Sequence, residues 1–131
     1  MKPRTLFLIG LLALASLIAF LDIAAMAHYL FWKFWWYDIM MHALGGLLFG
    51  GVFIWVVHYE LSEAHRARLM RPLYALLFVF TIGVIWEVFE FFAGSNLGYS
   101  NLYYAFDTIK DLCMDCIGGA SAYFFYSQKR A

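Results

Sequence analysis

Polar positions interrupt this chain at long intervals, and the apolar stretches between them have the length of membrane-spanning helices. After Lys2 and Arg4, an apolar run whose only charge is Asp22 extends from Leu6 to about Ala27. At 1.5 Å per residue it covers the ~30 Å of a bilayer's hydrocarbon core. A second apolar stretch runs over about 38–58, a third over about 72–92 behind Pro72, and a fourth over about 108–126. Proline suits the first turn of a helix, where its missing N–H is not needed. The pattern predicts an all-α, polytopic bundle of four transmembrane helices, one domain over residues 1–131.

The connecting segments differ in character. His28 to Tyr37 holds Tyr29, Trp32, Trp35, Trp36 and Tyr37 around Lys33, the amphipathic aromatic content of a headgroup-level belt. Tyr59 to Arg71 is polar, with Glu60, Glu63, His65, Arg66, Arg68 and Arg71, and Gly94 to Tyr103 reads as a turn-rich loop without Lys or Arg. The first stretch has the flanks of a signal peptide, with Ala25-Met26-Ala27 as a cleavage site. Its length exceeds the usual apolar region of such a peptide and Asp22 lies just before that site, so retention is the expectation.

Composition supports the membrane assignment, since 65% hydrophobic and 14% charged residues are unlike a soluble domain of this size. The net charge is zero, and no nucleic-acid partner is expected. Distribution matters more than the total. Lys2, Arg4, Arg66, Arg68, Arg71, Lys129 and Arg130, seven of the nine basic residues, fall on one side of a four-span topology. Short cytoplasmic loops collect Lys and Arg, which predicts a multi-pass protein of a bacterial inner membrane with both termini cytoplasmic.

Acidic residues collect on the other side. Asp22, Asp38, Glu87, Glu90, Asp107, Asp111 and Asp115 fall in the outer half against only Lys33 and Lys110. Asp107, Asp111 and Asp115 at i, i+4 and i+8 share one helix face. Carboxylates so close in a poorly hydrated bundle cannot all stay charged; some share protons or bind a cation. Asp38 and Asp107 alone would be ordinary residues at the start of a helix, and His42 alone a packed histidine. Glu87 and Glu90 inside a span are harder to explain structurally, because ionisable groups there are costly. Convergence at one depth makes Asp38, His42, Glu87, Glu90, Asp107, Asp111 and Asp115 candidate metal ligands. An oxygen-rich set suits Mg²⁺, Mn²⁺ or Ca²⁺, with His42 admitting Zn²⁺ or Fe²⁺.

A repeat relates two of the spans. Asp38 to Gly46 and Asp111 to Gly119 share Asp-x-x-Met-(His/Asp)-x-(Leu/Ile)-Gly-Gly, which predicts two helix pairs related as parallel repeats. Gly45, Gly46 and Gly50 in the second span, with Gly118 and Gly119 in the fourth, are expected to form helix-packing surfaces. Spans two and four should then touch through Gly46, Gly50, Gly118 and Ala122. Cys113 and Cys116 make a Cys-x-x-Cys, but quinone-linked thiol oxidoreductases of the vitamin K epoxide reductase type relay electrons through a second pair, which this chain lacks. Two small apolar side chains in a packed helix is the simpler reading.

The order Asp38-x-x-x-His42, Trp86-Glu87-Val-Phe-Glu90, Asp107-Thr-x-x-Asp111-Leu and Gly118-Gly119 resembles YjdF-type inner-membrane proteins and is more distantly similar to VanZ-like proteins. The resemblance implies membrane location, a helical bundle and Asp38, His42, Glu87, Glu90, Asp107 and Asp111 as motif residues, and no reaction. Asp115 stands where that pattern leads one to expect a neutral residue, so its role rests on chemistry alone. Three functions follow: a site that binds or transports a divalent cation or protons, a metal-dependent enzyme acting on lipid or polyprenyl-phosphate head groups, or an accessory subunit of a larger membrane complex. Partners beyond the bilayer would be a second copy of the chain or that complex.

Overall fold

The computed structural model describes residues 2–93 and 101–128. The elements are α1 (Pro3–His28), α2 (Leu30–Lys33), α3 (Trp35–Trp55), α4 (Glu63–Leu69), α5 (Pro72–Ala93) and α6 (Asn101–Gln128), with no strand among the described residues. A π-helical turn, Val56–Glu60, continues α3.

Among the described residues, three helices are long and apolar enough to cross a membrane: α1, α3 with its π-turn, and α5. The fourth long helix, α6, has 28 residues, about 42 Å at the helical rise. Its first 15 residues carry Asp107, Lys110, Asp111 and Asp115, which is why its apolarity falls below that of the others. Its start also precedes the expected boundary, because Asn101–Phe106 are helical where the sequence suggested part of a loop. The rest of that loop, residues 94–100, and the basic Lys129 and Arg130 lie outside the described residues.

The aromatic belt departs from a simple connection. Tyr29 adopts φ 58°, a left-handed conformation that ends α1, and α2 follows as a single turn. Trp32 and Trp35 are strongly exposed and Phe31 packs edge-on against Tyr37, so the belt has an apolar surface and an anchored base. The polar connection between the second and third stretches folds partly into α4, with Ser62 at the N-cap position in extended conformation and its hydroxyl 2.8 Å from His65 Nδ1.

Helices α3 and α6 form the central pair and run in the same direction. An added Cβ on Gly46 would strike the Asp115 backbone, one on Gly118 would strike the Ala43 carbonyl oxygen and Leu47 nitrogen, and one on Gly50 would come within 2.9 Å of Gly119 Cα. The absent side chains let the two backbones approach closely, the arrangement expected from the glycine spacing. Gly45 has more room, its Cβ position lying 3.9 Å from Asp115 Oδ1.

α5 lies antiparallel to α6 and touches α3, while α1 lies antiparallel to α3 and makes no comparable contact with α6. Gly51 receives Leu11 of α1, Gly119 receives Val79 of α5, and the Tyr37 hydroxyl donates to the Leu21 carbonyl at 2.9 Å. At the opposite end, Arg4 pairs with Glu60 at 2.6 Å and stacks over Trp55. Ile54 and Val79 are the largest fully buried side chains, and large apolar groups line the outside. A bundle with so small an interior and so apolar an exterior suits lipid as solvent.

Candidate metal centre

The polar residues collect where α3 and α6 begin and α5 ends. His42, one turn into α3 from Asp38, is buried at 7% exposure. Its Nε2 lies 3.8 Å from Asp38 Oδ1 and 3.9 Å from Asp111 Oδ2, while Nδ1 is 3.4 Å from Asp115 Oδ1. The i, i+4 spacing puts Asp38 and His42 on one face of α3, and the same spacing puts Asp111 and Asp115 on one face of α6. Close approach at the glycines turns those faces toward each other.

From α5 come Glu87 and Glu90. Ligand atoms of Asp38, His42 and Asp111 all lie within 4.8 Å of one another, and so do those of His42, Glu87 and Glu90. The histidine therefore belongs to two triads drawn from three helices. Glu87 is buried at 5% exposure, and its Oε2 accepts a 2.7 Å hydrogen bond from the Thr108 hydroxyl. Its Oε1 is buried without a hydrogen-bond partner, as is Asp111 Oδ1 on a residue only 3% exposed. Lys110 Nζ stands 3.3 Å from that Asp111 oxygen, an ion-pair distance whose angles do not make a hydrogen bond.

Lys110 is the main cation at the rim. Its ammonium donates to Asp107 Oδ1 at 2.6 Å and to Asp38 Oδ2 at 3.4 Å. Asp107 is thus tied to Lys110 and enters neither triad, and Asp22 lies on the exposed face of α1. Asp115 also stands outside the triads, against the other ring nitrogen of His42. Its second oxygen rests in a slot at Gly83 of α5, where an added Cβ would meet Asp115 Oδ2 and Leu112.

Sequence reasoning did not anticipate Thr108 or Gly83. Thr108 follows Asp107 directly, a dyad that gives a hydroxyl beside a carboxylate, and Gly83 is the lone glycine in an otherwise apolar stretch. Cys113 faces outward and Cys116 is half-buried, both as free thiols at helical spacing.

The fold and this cluster define an all-α membrane protein with acidic and histidine side chains gathered inside one end of its bundle. The chain belongs to the family described as Predicted membrane protein (DUF2238), whose model matches residues 3–130. This is the YjdF-type family that the motifs resemble; the likeness to VanZ-like proteins has no support in the match. No curated protein and no solved structure matches the chain.

Proposed function

We propose that the protein spans a bacterial inner membrane four times, both termini in the cytoplasm, and that the cluster in its outer half binds a divalent cation. The two buried carboxylate oxygens without hydrogen bonds, Glu87 Oε1 and Asp111 Oδ1, carry the reading. Leaving carboxylate oxygens buried without hydrogen bonds is costly, for Glu87 Oε1 most of all because Asp111 Oδ1 has the Lys110 ammonium at 3.3 Å, and a cation held by the cluster reduces that cost.

The distances support the same conclusion. His42 Nε2 to Asp38 and Asp111 at 3.8 and 3.9 Å is too long for hydrogen bonding. With metal–ligand bonds of about 2.1 Å, two ligands at a tetrahedral angle stand about 3.4 Å apart, so a contraction of about half an ångström brings His42 Nε2 to ligand spacing from each of these carboxylates. A shared imidazole favours Mn²⁺, Fe²⁺ or Zn²⁺ over Mg²⁺ and Ca²⁺, because the harder ions prefer oxygen donors to a ring nitrogen.

Binding, rather than head-group chemistry, is the better-supported use. An enzyme acting on lipid or polyprenyl phosphate would hold the phosphate on the metal and on a basic side chain beside it, and Lys110 is already engaged by Asp107, Asp38 and Asp111. Whether the cation or protons move through the site is a further step that the cluster permits. Elemental analysis of protein purified in detergent tests the proposal: the wild type should carry near-stoichiometric divalent metal and Asp111→Asn should lose most of it. Metal-free wild type that takes up no added Mn²⁺ or Zn²⁺ would leave the carboxylates to a partner subunit's basic residues.

A further inference from the structure

Resting on the cation site above, we propose that Asp115 is a positioning residue. It holds His42 with Nδ1–H toward α6, so that the Nε2 lone pair faces the cation among α3, α5 and α6. An ionised carboxylate only accepts hydrogen bonds, so a neutral imidazole against it carries its proton on the facing nitrogen. Asp115 Oδ1 at 3.4 Å is within reach of Nδ1, whereas Asp38 and Asp111 at 3.8 and 3.9 Å are out of hydrogen-bonding reach of Nε2. The two ring nitrogens thus face different tasks. A proton on Nδ1 has an acceptor, and a lone pair on Nε2 looks onto the oxygens of the first triad.

The position of Asp115 is built by its neighbours. The residue is 7% exposed, its backbone is pressed against Gly46 of α3, and its Oδ2 sits in the slot left by Gly83 of α5. Close contact on both sides fixes the carboxylate relative to the ring. A carboxylate that orients a metal-bound histidine also raises its basicity, and loss of such a partner costs about 10–100-fold in metal affinity. The helical repeat explains the placement: Asp115 holds in α6 the position that His42 holds in α3. Parallel helices in close register bring equivalent positions together.

Two measurements on the full-length protein in detergent test the inference with Zn²⁺ as the probe. Asp115→Asn, close to isosteric, should weaken Zn²⁺ binding about 10–100-fold, and Gly83→Ala, which crowds Asp115 without altering any ligand, should weaken it in the same direction. The second measurement needs no variant: nitrogen NMR of histidine-labelled, Zn²⁺-saturated wild type should show His42 metallated at Nε2 and protonated at Nδ1. Metal on Nδ1, or Asp115→Asn binding within about threefold of a wild type that does bind, overturns the role of Asp115 and leaves the cation site standing. A wild type that takes up no Zn²⁺ overturns both.

Discussion

The α3–α6 seam predicts an unusual response to the smallest side-chain addition. Gly46→Ala would put a methyl group onto the backbone of Asp115, and Gly118→Ala would put one onto the Ala43 carbonyl oxygen and the Leu47 nitrogen. Overpacking a core typically costs about 1–3 kcal/mol when side chains can move aside. Here the opposing atoms are helix backbone, so the helices themselves must separate and the cost should reach about 3 kcal/mol or more. Alanine recovers about 1 kcal/mol of helix propensity relative to glycine, leaving a net loss of at least about 2 kcal/mol.

Gly10 supplies the control, since nothing lies within 4 Å of its Cβ position. Reversible unfolding in mixed detergent should therefore show Gly46→Ala and Gly118→Ala destabilised and Gly10→Ala unchanged or slightly more stable. The same two variants should weaken divalent-cation binding, because the seam they open carries His42 on one side and Asp115 on the other. If both unfold within about 0.5 kcal/mol of Gly10→Ala, the spread of ordinary surface substitutions, the close seam is wrong, and with it the geometry that brings the His42 and Asp115 faces together.

Two further perturbations separate the ligands from their surroundings. Lys110→Met removes a positive charge from the rim; at ~6 Å from a divalent ion in a water-like dielectric that charge opposes binding by about 1.4 kcal/mol. Zn²⁺ affinity measured by competition with a chelator should accordingly rise about tenfold, and a fall would mean that Lys110 organises the site instead of competing for it. Asp22→Asn, on the exposed face of α1, should change affinity by no more than about twofold; a large loss in the same assay would make α1 a contributor of ligands.

Much of this was legible from residues alone, and the reasons are specific. The ends of α1 and α5 follow from where charged and turn-forming residues bound an apolar run, and the facing of α3 and α6 follows from glycines spaced for close approach. The beginning of α6 was not legible, because Asn101–Phe106 combines turn-forming and aromatic residues without an apolar period. α4 was missed for a related reason, lying in a polar stretch where burial leaves no pattern, whereas the π-turn closes the apolar second stretch with Val57 buried, and hydrophobicity does not separate a π-turn from an α-helical one. Within the site, i, i+4 spacing told which residues share a face. It does not tell which carboxylate oxygen meets which ring nitrogen. That depends on the register of α3 against α6 to within a fraction of a turn, set by backbone contacts at Gly46 and Gly118, and on a slot at Gly83 that exists only once α5 is docked.

The repeat bears on why the polar cluster gathers around one histidine instead of forming twice. If α3 and α6 were identical, the seam would be symmetric, with two histidines or two aspartates meeting at the position where His42 and Asp115 now meet. Two buried aspartates would repel each other, and two histidines would lack an acceptor between them. One of each sets an imidazole nitrogen 3.4 Å from a carboxylate oxygen and leaves the other ring nitrogen on the far side of the seam. The flanking helices then break the symmetry in the same sense: α5 brings Glu87 and Glu90 to His42, while the acid at a similar depth in α1, Asp22, turns away to the exposed face. Asp38 and Asp111, at equivalent positions in the repeat, both lie within 4 Å of His42 Nε2 because that nitrogen sits between the two helices. On the proposed reading, Asp115 in place of the neutral residue expected there lets a single histidine serve a site shared by three helices.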